Sequence, residues 1–165
     1  MTINVLAICG SLRAKSTNRG LVRYAQAHAP SGMRIHVADL LDVPFYNADL
    51  AEKPAAVQQL LKQIADADAL LLACPEYNYS MAPALKNALD WASREPDNHL
   101  LSGKPVAIMG AGGGMGTSRA QWLSERAVGS EADMQRALAA AEALIADAEL
   151  DIRGLRFDGT PCSTD

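Results

Sequence analysis

Apolar residues fall along this chain in short solid blocks, separated by stretches of helical periodicity. The first block, Ile3–Cys9 (INVLAIC), is almost wholly apolar, which marks a strand covered on both faces, as in a parallel sheet. Blocks at 67–74 (ADALLLAC) and 105–110 (PVAIMG) predict two more buried strands, and 33–38 (MRIHVA) a shorter one. Between them, Leu21, Val22 and Ala25 form one side of a helix over 18–29. Pro54 is tolerated at a first helical position and opens a second helix, in which Val57, Leu60, Leu61 and Ile64 recur at core-facing spacing. A third helix over 82–93 carries Leu85, Ala88, Leu89 and Trp91, and a fourth starts near Thr117. Residues 39–53, with Pro44 and Tyr46, read as an irregular connection.

Strands alternating with helices predict a parallel sheet with helices on both faces, a three-layer α/β sandwich. The 165 residues fit one domain, expected over 1–157, with a short polar tail at 158–165 expected to be disordered. In such a sheet every strand-to-helix loop leaves at the carboxyl edge, and ligands bind where the strand order reverses. For the flavodoxin-like order 2-1-3-4-5 that point lies between strands 1 and 3. The loops after those two strands are the most polar and unusual in the chain.

The first, GSLRAKSTN at 10–18, places Ser11, Arg13, Lys15, Ser16, Thr17 and Asn18 just ahead of a helix N-terminus. Backbone N–H groups and the helix dipole favour an anion there. Helix capping by Ser16 or Thr17, with Arg13 and Lys15 solvated, is the plainer alternative. The spacing is not that of a Walker A loop. The second loop, PEYNYS at 75–80, offers two aromatics and an amide, which suit a flat heterocycle, or else a tight turn covered by Tyr77 and Tyr79. The third, GAGGGMG at 110–116, lets backbone come close to a ligand. It lacks the dinucleotide fingerprint, since the third glycine position falls on Met115.

Composition narrows the partners. Charged residues make up 21% and the net charge is −4, which favours neither nucleic acid nor an anionic membrane surface. No run approaches the roughly 20 apolar residues of a membrane span, and no leader pattern precedes the first strand, so a cytoplasmic location is expected. Cys9, Cys74 and Cys162 share no metal or CxxC spacing. Cys9 and Cys74 are expected to pack at strand ends. His28, His36 and His99 are scattered and read as surface residues, and no metal site is expected.

With these motifs in place, the chain resembles the NADPH-dependent FMN reductase family, the flavodoxin-like group that includes bacterial quinone and chromate reductases. The likeness covers about residues 3–121 and is carried by GSLRAKSTN, by PEYNYSMAPALKNALDW at 75–91, by GKPVAIMGAGGG at 103–114 and by RAQ at 119–121. It implies that Ser11, Arg13, Ser16, Thr17 and Asn18 hold the FMN phosphate. It further implies that Pro75, Glu76, Tyr77, Asn78 and Ser80 wrap the isoalloxazine and ribityl portion, and that Gly112, Gly113 and Gly114 pass the other side of the ring. No side chain is required as acid or base, and Glu76 reads as structural, paired with Arg119.

The implied activity is hydride transfer from NADPH or NADH, through FMN, to a small acceptor such as a quinone, flavin, azo compound or metal oxyanion. A flavodoxin-type electron carrier and a paralogue with impaired flavin binding are the alternatives. The resemblance also implies a homodimer or homotetramer, and Trp91 and Trp122 are expected to face outward on helices near 81–93 and 117–128. After Gln121 the pattern departs from the family. Residues 122–149 read as helix, with a capped helix expected over 131–148, and 150–157 alternates like an edge strand, an atypical fifth strand.

Overall fold

A computed structural model describes residues 2–128. The expected helix over 131–148, the edge strand over 150–157 and the tail at 158–165 lie outside the described residues. Within them the predicted alternation holds. β1 (Ile3–Cys9) leads to α1 (Thr17–Ala27), β2 (Met33–Val37), α2 (Ala55–Asp66) and β3 (Ala69–Ala73). A hairpin of β4 (Glu76–Tyr77) and β5 (Ser80–Met81) follows, then α3 (Pro83–Ser93), β6 (Val106–Met109) and α4 (Ser118–Val128).

The main sheet has four parallel strands in the order β2-β1-β3-β6, matching the first four strands of the predicted order. Because successive side chains point to opposite faces, β1 splits its residues between two cores. Leu6 and Ile8 face one side, with Val57, Leu60, Leu61 and Ile64 of α2 and Leu85, Ala88 and Leu89 of α3. Val5, Ala7 and Cys9 face the other, where Val22 of α1 is fully buried. Cys9 and Cys74 belong to opposite cores, and both are free thiols. All three histidines named above are exposed. Among the described residues no helix is long and apolar enough to cross a membrane, and no cluster of ligating side chains could hold a metal.

Two sequence expectations need correction. Segment 75–80 is not a simple loop but carries the β4–β5 hairpin, paired Glu76 to Met81 and Tyr77 to Ser80. Its two turn residues, Asn78 and Tyr79, both have positive φ (51° and 64°), as a two-residue hairpin turn with matched twist requires. Trp91 does not face outward. It is 3% exposed, against 56% for Trp122, because it lies on the side of α3 that also buries Ala88 and Ala92.

Trp91 helps to order the long connection after β2. Its indole Nε1 donates to Pro44 O at 2.9 Å, and its ring meets Tyr46 edge-on at 5.0 Å. The buried Asn87 completes the anchor, with Nδ2 donating to Pro44 O at 2.9 Å and Oδ1 accepting from Tyr46 N at 2.8 Å. Truncating Asn87 leaves the Tyr46 N–H without this partner. Asn87→Ala is therefore expected to lower unfolding free energy by about 1–3 kcal/mol, read from urea denaturation.

Candidate functional site

The loops after β1, β3 and β6 converge at the carboxyl edge of the sheet around a crevice of about 370 Å³, within the size range of small-molecule sites. Eleven of the thirteen residues singled out from sequence line it: all five from 10–18, Pro75, Glu76 and Tyr77 from the hairpin, and Gly112, Gly113 and Gly114. Asn78, in the hairpin turn, and Ser80, in β5, are exposed and lie outside its lining. Ala111, Met115 and Gly116 also line the crevice and were not anticipated. Their position in the glycine-rich loop was the available signal.

At one end sits the N-terminus of α1. Ser16 is its N-cap, with a β-region backbone and a side-chain oxygen that accepts from Arg19 N at 3.1 Å. Capping uses a lone pair of the hydroxyl and leaves its proton free to donate. The amides of Thr17 and Asn18, in the first turn, have no acceptor within the helix. Ser11 is 3% exposed, and its hydroxyl receives only a long 3.4 Å contact from the Tyr77 hydroxyl. Arg13 and Lys15 are exposed beside it. Donors, a helix dipole and the Arg13 guanidinium thus line one end of the crevice, the chemistry of an anion site, with Lys15 exposed nearby in the chain. The capping alternative also holds, since one hydroxyl can serve both roles.

A second helix N-terminus at the same edge is arranged differently. The first turn of α4 contains no acidic residue, and Glu76 reaches it from the hairpin. Its Oε2 accepts from Arg119 N at 3.1 Å and from Ala120 N at 3.4 Å, while Oε1 accepts from Arg119 Nη1 at 2.8 Å. The Arg119 guanidinium, and then the two amides, hold this carboxyl below the usual carboxylate range. Arg119 in turn lies over the Tyr79 ring, 4.6 Å from its centroid. The anticipated Glu76–Arg119 pair is therefore present, and Glu76 also caps α4 from a distant segment. At the end of β3, Cys74 is fully buried against α4, 3.3 Å from the Ser124 hydroxyl. Burial pushes its thiol up, so it stays protonated at neutral pH and is structural.

The glycine loop also lines the crevice, and its glycines differ in kind. A Cβ on Gly110 would lie 1.9 Å from Thr117 Oγ1 and 2.7 Å from Cys74 O. One on Gly112 would lie 2.4 Å from Gly116 O. These two are required by the protein's own packing. Gly113 and Gly114 have no protein atom within 4 Å of such a Cβ and no positive φ. Neither packing nor conformation requires glycine at those two positions. Their bare backbone leaves space in the crevice for a flat group, so the residues present fit FMN: anion donors and an open backbone ledge line one crevice.

Two outcomes test these assignments without any ligand. Gly112→Ala is expected to destabilise by more than about 1 kcal/mol, whereas Gly113→Ala should be neutral or stabilise by about 0.4–1 kcal/mol through the unfolded chain, both read from thermal melts. For Glu76, the unfolded carboxyl takes up its proton before the native one as pH falls. The stabilisation is therefore complete above about pH 5.5 and is lost as pH drops through the lowered native pKa. The melting temperature of Glu76→Gln should lie below wild type at neutral pH, with the gap shrinking in acid.

A family model described as NADPH-dependent FMN reductase matches residues 3–148, beyond the 3–121 over which the motifs were recognised. The chain is 52% identical over 123 residues to an NAD(P)H-dependent FMN reductase of Pseudomonas aeruginosa, covering 73% of this chain and 66% of that one. It is 44% identical over 126 residues to an NAD(P)H:quinone oxidoreductase of Solanum tuberosum, covering 73% and 64%. This chain thus spans just under two thirds of the length of these curated relatives. Among solved structures, the flavoenzyme NAD(P)H:(acceptor) oxidoreductase FerB of Paracoccus denitrificans is 31% identical, with a TM-score of 0.76, covering 98% of this chain and 87% of that one. By motif, fold and site, the chain belongs to the NADPH-dependent FMN reductase family.

Proposed function

We propose that the protein binds FMN in the crevice and acts as an NAD(P)H-dependent reductase of a small acceptor such as a quinone. The observation that carries this is the pairing, across one crevice, of the open α1 N-terminus with the bare backbone of Gly113 and Gly114. A phosphate-bearing flat heterocycle matches both features. Relatives named as an FMN reductase and as an NAD(P)H:quinone oxidoreductase support the reaction class.

In this reading Arg13, Ser11, Ser16 and Thr17 hold the phosphate, and Asn18 belongs to the same end. Pro75, Glu76 and Tyr77 flank the ring side, with Asn78 and Ser80 fixing the hairpin that presents them. FMN, when bound, accepts hydride from NADPH or NADH and passes two electrons to the acceptor. The chain's part is to orient the ring and to oppose its added negative charge with backbone N–H groups of the hairpin and the glycine loop. No side chain is assigned as acid or base. The buried free thiols fit a reducing compartment such as the cytoplasm.

A homodimer or homotetramer belongs to the same proposal. Trp122 is 56% exposed on α4 with the Arg126 guanidinium 4.9 Å from its ring centroid, the kind of residue pair enriched at interfaces. A monomeric mass by light scattering at micromolar concentration counts against it.

Two measurements test the reaction. Arg13→Ala should weaken FMN binding by about 1.5–3 kcal/mol, the loss of one charged phosphate contact, in a fluorescence titration; unchanged affinity removes the phosphate from this loop. Stopped-flow mixing of the FMN-loaded protein with NADPH, and separately NADH, should bleach the flavin within seconds. Bound FMN that neither donor bleaches favours an electron carrier.

A further inference from the structure

Asn18 lies at the phosphate end of the crevice, but its carboxamide is directed elsewhere. Its Oδ1 accepts from Ala111 N at 3.0 Å, and its Nδ2 donates to Ala111 O at 3.1 Å. One buried side chain, 3% exposed, thus holds both polar groups of a residue 93 positions away. Among the described residues, no other hydrogen bond joins 10–18 to 110–116. The segment it holds contains Gly112, Gly113, Gly114 and Gly116, and glycine backbone loses the most conformational freedom on being fixed.

We propose that Asn18 is a positioning residue: it fixes the glycine loop at the distance from the α1 end at which the flavin ring is received. The proposal rests on the FMN reading above. Ala111 immediately precedes Gly112, whose crowding against Gly116 shapes the turn, and then Gly113 and Gly114, the open ledge. With Ala111 held, the ledge is ordered before any ligand arrives, and binding need not supply that ordering. With Ala111 released, every ligand that touches the ledge binds more weakly, whether or not it carries a phosphate. That separates Asn18 from Arg13, whose contribution depends on the phosphate.

The test titrates FMN and riboflavin, which lacks the phosphate, into wild type, Asn18→Ala and Arg13→Ala, following flavin fluorescence. Asn18→Ala should weaken both flavins by a similar factor, about tenfold, the equivalent of one hydrogen bond. Arg13→Ala should weaken FMN alone. An Asn18→Ala that weakens FMN and leaves riboflavin unchanged makes Asn18 a phosphate contact and overturns the proposal. A second readout needs no flavin. By NMR amide exchange on the ligand-free protein, Asn18→Ala should speed exchange at Ala111 and Gly112–Gly114 while β1 and β3 keep their protection. Unchanged exchange at Ala111 overturns the proposal as well. If Asn18→Ala does not fold, Asn18→Asp carries the riboflavin titration and the exchange measurement, since it keeps the shape and the acceptor for Ala111 N–H but loses the donor to Ala111 O; FMN is left out for this variant, because the added carboxylate repels the phosphate whatever Asn18 does. Wild-type protein that binds neither flavin sinks the FMN reading, and the exchange measurement still decides what Asn18 does.

Discussion

Parallel strands carry their carboxyl ends to a single edge, and the chemistry of this protein is gathered by that constraint. β1, β3 and β6 are neighbours in the sheet, so the segments that follow them must meet, although whole helices separate them in the chain. Covering both faces of the sheet fixes the strands, and the strands fix where each loop begins. What the sheet cannot fix is the far end of a loop. Side chains from other segments do that: Glu76 for the start of α4, Asn18 for the glycine loop, Asn87 for the connection after β2.

The N-termini of α1 and α4 both face this edge, and they differ in how their amides are met. Both begin with amides that the helix itself cannot satisfy. At α4 a carboxylate from the hairpin takes up two of them, so that end is already matched to a negative charge. At α1 the cap is a neutral hydroxyl, and Arg13 and Lys15 stand beside it. An incoming anion therefore finds one helix end answered and the other open. In the proposed reading, this contrast directs the FMN phosphate to α1 as much as any attraction of the first loop alone.

Much of this was legible in the sequence because it depends on local pattern. The buried strands, the amphipathic faces of α2 and α3, and the polarity of the first loop are written in neighbouring residues. The β4–β5 hairpin was not legible. Its turn is Asn78–Tyr79, and a bulky residue at positive φ is uncommon where glycine is preferred. Trp91 was misjudged because its helix periodicity does not say which flank the connection after β2 will cover. Eleven of the expected site residues line the crevice, but their division of labour was hidden. Nothing near Asn18 in sequence points to Ala111, and the four glycines of 112–116 look alike until the atoms around each are known.

The two buried thiols bear on the protein's own chemical durability. Quinones are soft electrophiles that add to cysteine, and addition needs both an approach path and a thiolate. Cys9 is 2% exposed and Cys74 is fully covered, with its proton held by burial. They stand on opposite faces of the sheet, in separate cores, so neither can reach the other to form a cystine. At the described core of this fold, the residues most open to attack by the proposed class of acceptor are shielded from arylation and from crosslinking alike.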